Sequence, residues 1–84
     1  MQKTIHSSEY DTLLLWLRKQ RNEQGVTMRE LAQKLDVHHS WIGKIEQGDR
    51  RLDIVEYLKI CGALEIDPYT GLELIQQSLS ASKD

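Results

Sequence analysis

If residues 39–47 are helical, His39, Ser40, Gly43, Lys44 and Gln47 share one side of that helix, because residues three and four apart are neighbours on a helical surface. The side chains on this face donate and accept hydrogen bonds, and no acidic residue stands among them. Lysine can donate to guanine O6 and N7, and serine can pair with several base edges. Histidine donates or accepts according to its tautomer. A face of this kind suits base edges and phosphates, with His39, Ser40 and Lys44 as candidates for base contact. The plainer alternative is an ordinary solvated helix face.

The surrounding residues explain how such a face would be held. Ile42 and Ile45 put an apolar stripe on the opposite side of the same helix, and Gly48 follows where a left-handed backbone costs glycine little. Upstream, Thr27-x-x-Glu30 is a capping box for a helix that starts at Met28 and ends near Leu35, with Leu31, Ala32 and Leu35 on its inner face. Residues 36–38 form a short link. Two short helices joined by a tight turn have the layout of a helix-turn-helix, whose second helix enters the DNA major groove.

The remaining segments also read as helices. One runs over about 8–21, with Ser8 as its cap, Glu9 and Asp11 favourably placed in its first turn, and Tyr10, Leu13, Leu14 and Leu17 inward. Another runs over about 53–64, with Asp53 at its cap and an inner stripe of Ile54, Tyr57, Leu58, Cys61 and Leu64. A last one follows Asp67-Pro68, with Pro68 in its first position and Leu72, Ile75 and Leu79 as an apolar edge. No segment alternates with period two, so the expected fold is all-α, a compact five-helix domain. Residues 1–7 read as an N-terminal arm, 8–79 as the domain with its fifth helix over 68–79, and 80–84 as a tail.

The 27–48 segment resembles the helix-turn-helix of the lambda-repressor/Cro class, the XRE family. The resemblance is carried by LAQKL (31–35), Val37 and IGKIEQG (42–48), with LRKQRNEQGVT (17–27) upstream and LDIVEYLKICGALEIDP (52–68) downstream. Each motif is weak, but their order and spacing together are specific, and they span roughly residues 13–79. The resemblance implies double-stranded DNA as partner and a lambda-repressor-like fold. It implies base contact by His39, Ser40 and Lys44 and a structural ion pair between Arg21 and Glu46. Backbone contact is implied for Met28, Arg29, Trp41, Gln47, Arg50 and Arg51. Trp41 could instead cover the edge of the core, and Arg50 and Arg51 could be a solvated loop. Met28 departs from the family, where glutamine commonly braces the recognition helix and meets a phosphate. Gly43 is a mid-helix glycine that would admit either a base pair or a neighbouring helix.

Composition fits this reading. The 84 residues make one domain. A single cysteine excludes an internal disulfide and fits a reducing cytoplasm. The N-terminus has no apolar run of signal-peptide length, and the longest apolar run, 13–17, is too short to span a bilayer. The net charge of −2 is segregated: −1 over residues 1–17, +3 over 18–51 and −4 over 52–84. Phosphates respond to the local field within about 8 Å at physiological salt, so the positive middle segment is the relevant one. Metal and catalytic readings fail on spacing. His38 and His39 are adjacent and would diverge by roughly 100° on a helix. Cys61 lies in an apolar stripe, where cysteine behaves as a small hydrophobe. No cofactor or enzymatic activity is expected.

The expectation is a bacterial or phage transcriptional regulator, a repressor if it blocks polymerase by occupying an operator and otherwise one that contacts polymerase from it. One small helix reads few base pairs, so a homodimer on a pseudo-palindrome is expected, with Leu72, Ile75 and Leu79 as dimer interface unless they only complete the core. An antitoxin whose acidic half faces a basic partner and a restriction–modification controller are the competing expectations.

Overall fold

A computed structural model describes residues 8–81 of the chain. The expected arm over 1–7 and most of the expected tail lie outside the described residues. All regular structure within them is helical: α1 (Ser8–Glu23), α2 (Met28–Leu35), α3 (His39–Glu46), α4 (Ile54–Leu64) and α5 (Pro68–Ala81). α1 and α5 each run two residues past the ends expected from sequence, and Ser8 is the first helical residue rather than a residue preceding the helix.

Local chemistry sets the boundaries of the inner helices. Thr27 Oγ1 accepts from Glu30 N at 3.0 Å, and Glu30 Oε1 accepts from Thr27 N at 2.9 Å, so both members of the capping box are engaged. Asp53 and Glu56 repeat the same reciprocal pattern at the head of α4. α2 and α4 end on Asp36 and Glu65, both left-handed at φ 58° and 57°. α3 is capped by Gln47 and followed by Gly48 at φ 80°, a conformation that glycine adopts without the usual Cβ clash. Asp67 Oδ1 accepts from Tyr69 N at 2.9 Å and so caps α5 just before Pro68.

The core is drawn from four helices: Leu13, Leu14 and Leu17; Leu31 and Ala32; Ile42 and Ile45; Tyr57, Ile60, Cys61 and Leu64. The α4 stripe differs from expectation. Ile54 and Leu58 face outward, 58% and 48% exposed, while Ile60 is buried. Apolar residues fill nearly every position of this helix, so periodicity alone leaves its inner face ambiguous; packing against α2 and α5 selects Tyr57, Ile60, Cys61 and Leu64.

α5 lies along α1 and touches α4 more lightly. Gly71 leaves no room for a side chain between α5 and its neighbours. A Cβ there would lie 2.7 and 2.9 Å from Trp16 Cζ3 and Cε3 and would collide with the Tyr57 hydroxyl. That hydroxyl donates to the Pro68 carbonyl at 2.5 Å, tying the start of α5 to α4. Ile75 packs against the core, whereas Leu72 and Leu79 are exposed at 37% and 53%.

Candidate nucleic-acid interface

The α2–α3 unit is anchored from behind by Arg21. Its Nε and Nη2 donate to the two carboxylate oxygens of Glu46 at 2.6 and 2.9 Å, while Nη1 donates to the Val26 carbonyl at 2.8 Å. The two side chains are only 7% and 8% exposed. α1 therefore grips the end of α3 and the turn before α2 through one planar fork, a geometry arginine provides and lysine does not. Arg21 is spent on this framework and does not reach the surface.

α3 begins with a cap that its sequence does not advertise. His38 Nδ1 accepts from Ser40 N at 3.1 Å and lies 2.9 Å from Ser40 Oγ. Serine, threonine, aspartate and asparagine are the usual caps, so composition offers little signal for an imidazole in that role. The His38 and His39 rings stack with centroids 4.5 Å apart. Burial, with the Arg29 charge and the adjacent His38 imidazole, holds the His39 imidazole below the ordinary histidine range.

Beyond the cap, Ser40, Lys44 and Gln47 are exposed along one side of α3, and Ile42 and Ile45 are buried on the other. His39 is half-buried at the helix head. Gly43 faces α2: a Cβ on it would meet only Met28 Sδ, at 3.8 Å, an ordinary contact. Met28 is half-buried against the core, so its side chain packs inward and only its backbone N–H, in the first turn of α2, is placed to receive a phosphate. Arg29 is exposed on the same turn.

The loop after α3 is more structured than a solvated linker. Arg50 Nη1 and Nη2 donate to the two Glu56 oxygens at 3.1 Å each, and the guanidinium carbon stands 5.2 Å from the Trp41 ring centroid. Tyr10 Oη accepts from Leu52 N at 2.9 Å and donates to the Arg50 carbonyl at 3.4 Å, so α1 braces this loop as well. The Arg50 fork holds the Glu56 carboxyl below the usual carboxylate range. Trp41 thus packs on the core, as the second of its two readings expects, while its face carries Arg50. Glu56 was not among the residues singled out from sequence. The Asp53-x-x-Glu56 spacing, identical to that of Thr27-x-x-Glu30, is the signal that could have found it. Arg51 is exposed beside the paired Arg50. Arg51→Ala is expected to weaken binding to every duplex alike and to lower the salt slope by about one unit; affinity measured across a salt series checks this, and an unmoved slope would place the side chain away from phosphate.

The exposed side of α3 can position hydrogen-bond donors and acceptors. No group of three or more His, Cys, Asp or Glu among the described residues could hold a metal ion. Burial pushes the Cys61 thiol up, away from the reactive thiolate. No helix among the described residues is long and apolar enough to cross a membrane.

A helix-turn-helix family model matches residues 17–70, which takes in the capped α2–α3 unit, its Arg21 anchor and α4. The chain belongs to the XRE family of helix-turn-helix regulators. Among solved structures it is similar to an XRE-family like protein from Pseudomonas syringae pv. tomato str. DC3000, at 36% identity and TM-score 0.81, covering 89% of this chain and 92% of that one. It is also similar to the clp gene regulator ClgR from C. glutamicum, at 26% identity and TM-score 0.75 over 87% of this chain and 95% of that one. The wild-type restriction–modification controller protein C.Esp1396I is similar at 25% identity and TM-score 0.76 over 90% of this chain and 99% of that one. No curated protein matches the sequence. As an XRE-family protein the chain is a DNA-binding transcription regulator, and the five-helix fold is that of its structural neighbours.

Proposed function

We propose that this XRE-family protein occupies an operator as a homodimer and regulates transcription by that occupancy. The observation that carries the reading is the exposed, acid-free side of α3 bearing Ser40, Lys44 and Gln47, with His39 at its head, presented by a helix whose other side is locked into the core. Ser40 and Lys44 are the base-edge readers, His39 stands with them, and Met28, Arg29, Trp41, Gln47, Arg50 and Arg51 surround them as backbone contacts. Selection of bound duplexes from a random pool tests the proposal. A pseudo-palindromic motif whose half-sites lie about one helical turn apart is the expected result; a pool that shows no enrichment would overturn it.

The dimer is assigned to α5. Leu72 and Leu79 are exposed apolar residues on a helix whose buried side is already occupied by α1, and Ile75 lies between them and the core. Leu72→Asp is expected to give a monomer in sedimentation velocity with its helical circular dichroism retained. A dimer that survives this change places the interface elsewhere. The likeness to C.Esp1396I favours one specific setting, control of a restriction–modification operon, since this chain spans 99% of that protein. Occupancy of the promoter region of an adjacent methyltransferase or endonuclease gene would support that setting, and its absence would remove it.

A further inference from the structure

At the α2–α3 turn a groove of about 210 Å³ is lined by Arg29, Ala32 and Gln33 of α2 and by Val37, His38 and His39. No carboxylate is among these residues. Because His38 Nδ1 is used as an acceptor for the Ser40 N–H, neutral His38 must carry its proton on Nε2 and can donate only from there. The stacked His39 ring stands beside it. The groove thus joins a fixed cation, one fixed N–H donor and an imidazole that gains a second N–H donor on protonation.

We propose that this groove seats a DNA phosphate and that His39 takes up a proton from solvent as the phosphate enters. The proposal rests on the DNA-binding reading and moves His39 from base edge to backbone. In the free protein the groups acting on His39 disfavour its charged form: burial, Arg29 from the helix packed against it, and His38 from the cap of its own helix. A phosphate brings the missing negative charge and reverses the balance, because an opposite charge within hydrogen-bonding distance favours the imidazolium. The sign follows. His39 binds its proton more tightly in the complex than in the free protein, so affinity increases as pH falls through the complexed value and levels off below the free one. Each unit of difference between the two values makes the fully protonated complex about tenfold tighter.

The test uses the full chain and a random-sequence duplex of about two dozen base pairs, since a phosphate contact needs no operator. Affinity is measured from about pH 8 to about pH 5.5 at constant ionic strength, with a salt series at each end. The expected result is binding that strengthens on acidification, with a salt slope steeper at the acid end by about one unit per protomer. His39→Gln abolishes the pH response, whatever its effect on affinity at the alkaline end. His38→Asn, which supplies a non-titrating cap, retains the response; this separates phosphate binding from acid loss of the His38 cap. Binding at the alkaline end with no pH response, or a response that survives His39→Gln, overturns the phosphate seat alone. No binding to any duplex at the alkaline end overturns the DNA-binding reading beneath it.

Discussion

Arg21→Ala is expected to lower the folding stability of this domain by about 3–5 kcal/mol, the usual cost of stranding one charge of a buried pair. For a chain of this length the total is about 4–13 kcal/mol, so the variant loses a large part of its stability or does not fold. The cause is local and threefold. Glu46 loses a bidentate partner in a site where it is 8% exposed, the Val26 carbonyl loses its 2.8 Å donor, and α1 releases the end of α3. Glu46→Ala strands the opposite charge and should cost a comparable amount. The double variant Arg21→Met with Glu46→Leu removes both charges together. It is expected to recover most of the loss, because replacing a whole buried ion pair by apolar groups is often neutral or stabilising. Urea unfolding of the three variants checks the pattern. A double variant as unstable as either single one would show that the three-way fork itself, rather than the uncompensated charge, holds the helices together.

Lys44→Ala should change stability little, since the residue is exposed in the last turn of α3 and the better helix propensity of alanine offsets the lost charge–dipole interaction. Its effect falls on recognition: about 1–3 kcal/mol of specific binding, with relaxed preference at one or two base pairs. Backbone contacts do not carry sequence information, so binding to random duplex should change far less. Comparing selected-sequence profiles of wild type and variant checks this. An unchanged profile would mean that α3 presents a different edge to the groove. The contrast with Arg21→Ala would separate a cation that holds the fold together from one proposed to read DNA.

The features legible from local rules were those set by residues close together along the chain; the Arg21–Glu46 pair, which joins distant residues, was expected from the family resemblance. The Thr27–Glu30 box, the buried Ile42 and Ile45, the turn at Gly48 and the start of α5 at Pro68 all follow from local rules. What escaped depended on residues far apart or on an atypical chemical role. The outward turn of Ile54 and Leu58 is decided by which neighbours α4 meets, because its apolar residues mark no single face. The Arg50–Glu56 fork over Trp41 needs the α3–α4 loop to fold back, which no periodicity encodes. The His38 cap uses an imidazole where a hydroxyl or carboxylate is the common choice. The direction of Gly43 toward Met28 likewise emerges only once α2 and α3 are packed.

The bare notch at Gly71 has a further consequence. With no side chain to intervene, α5 beds down on Trp16 and the Tyr57 hydroxyl, and a single added methyl would prise it away. α5 therefore lies close along α1, and the contact at Gly71 helps to set how it would be presented to a second subunit. In a dimer built through α5, its tilt would be multiplied by the lever arm to α3 and so set the distance between the two copies of α3. In the proposed dimer, half-site spacing on DNA would then depend on a position far from the proposed base-reading residues, where one added methyl group would alter it.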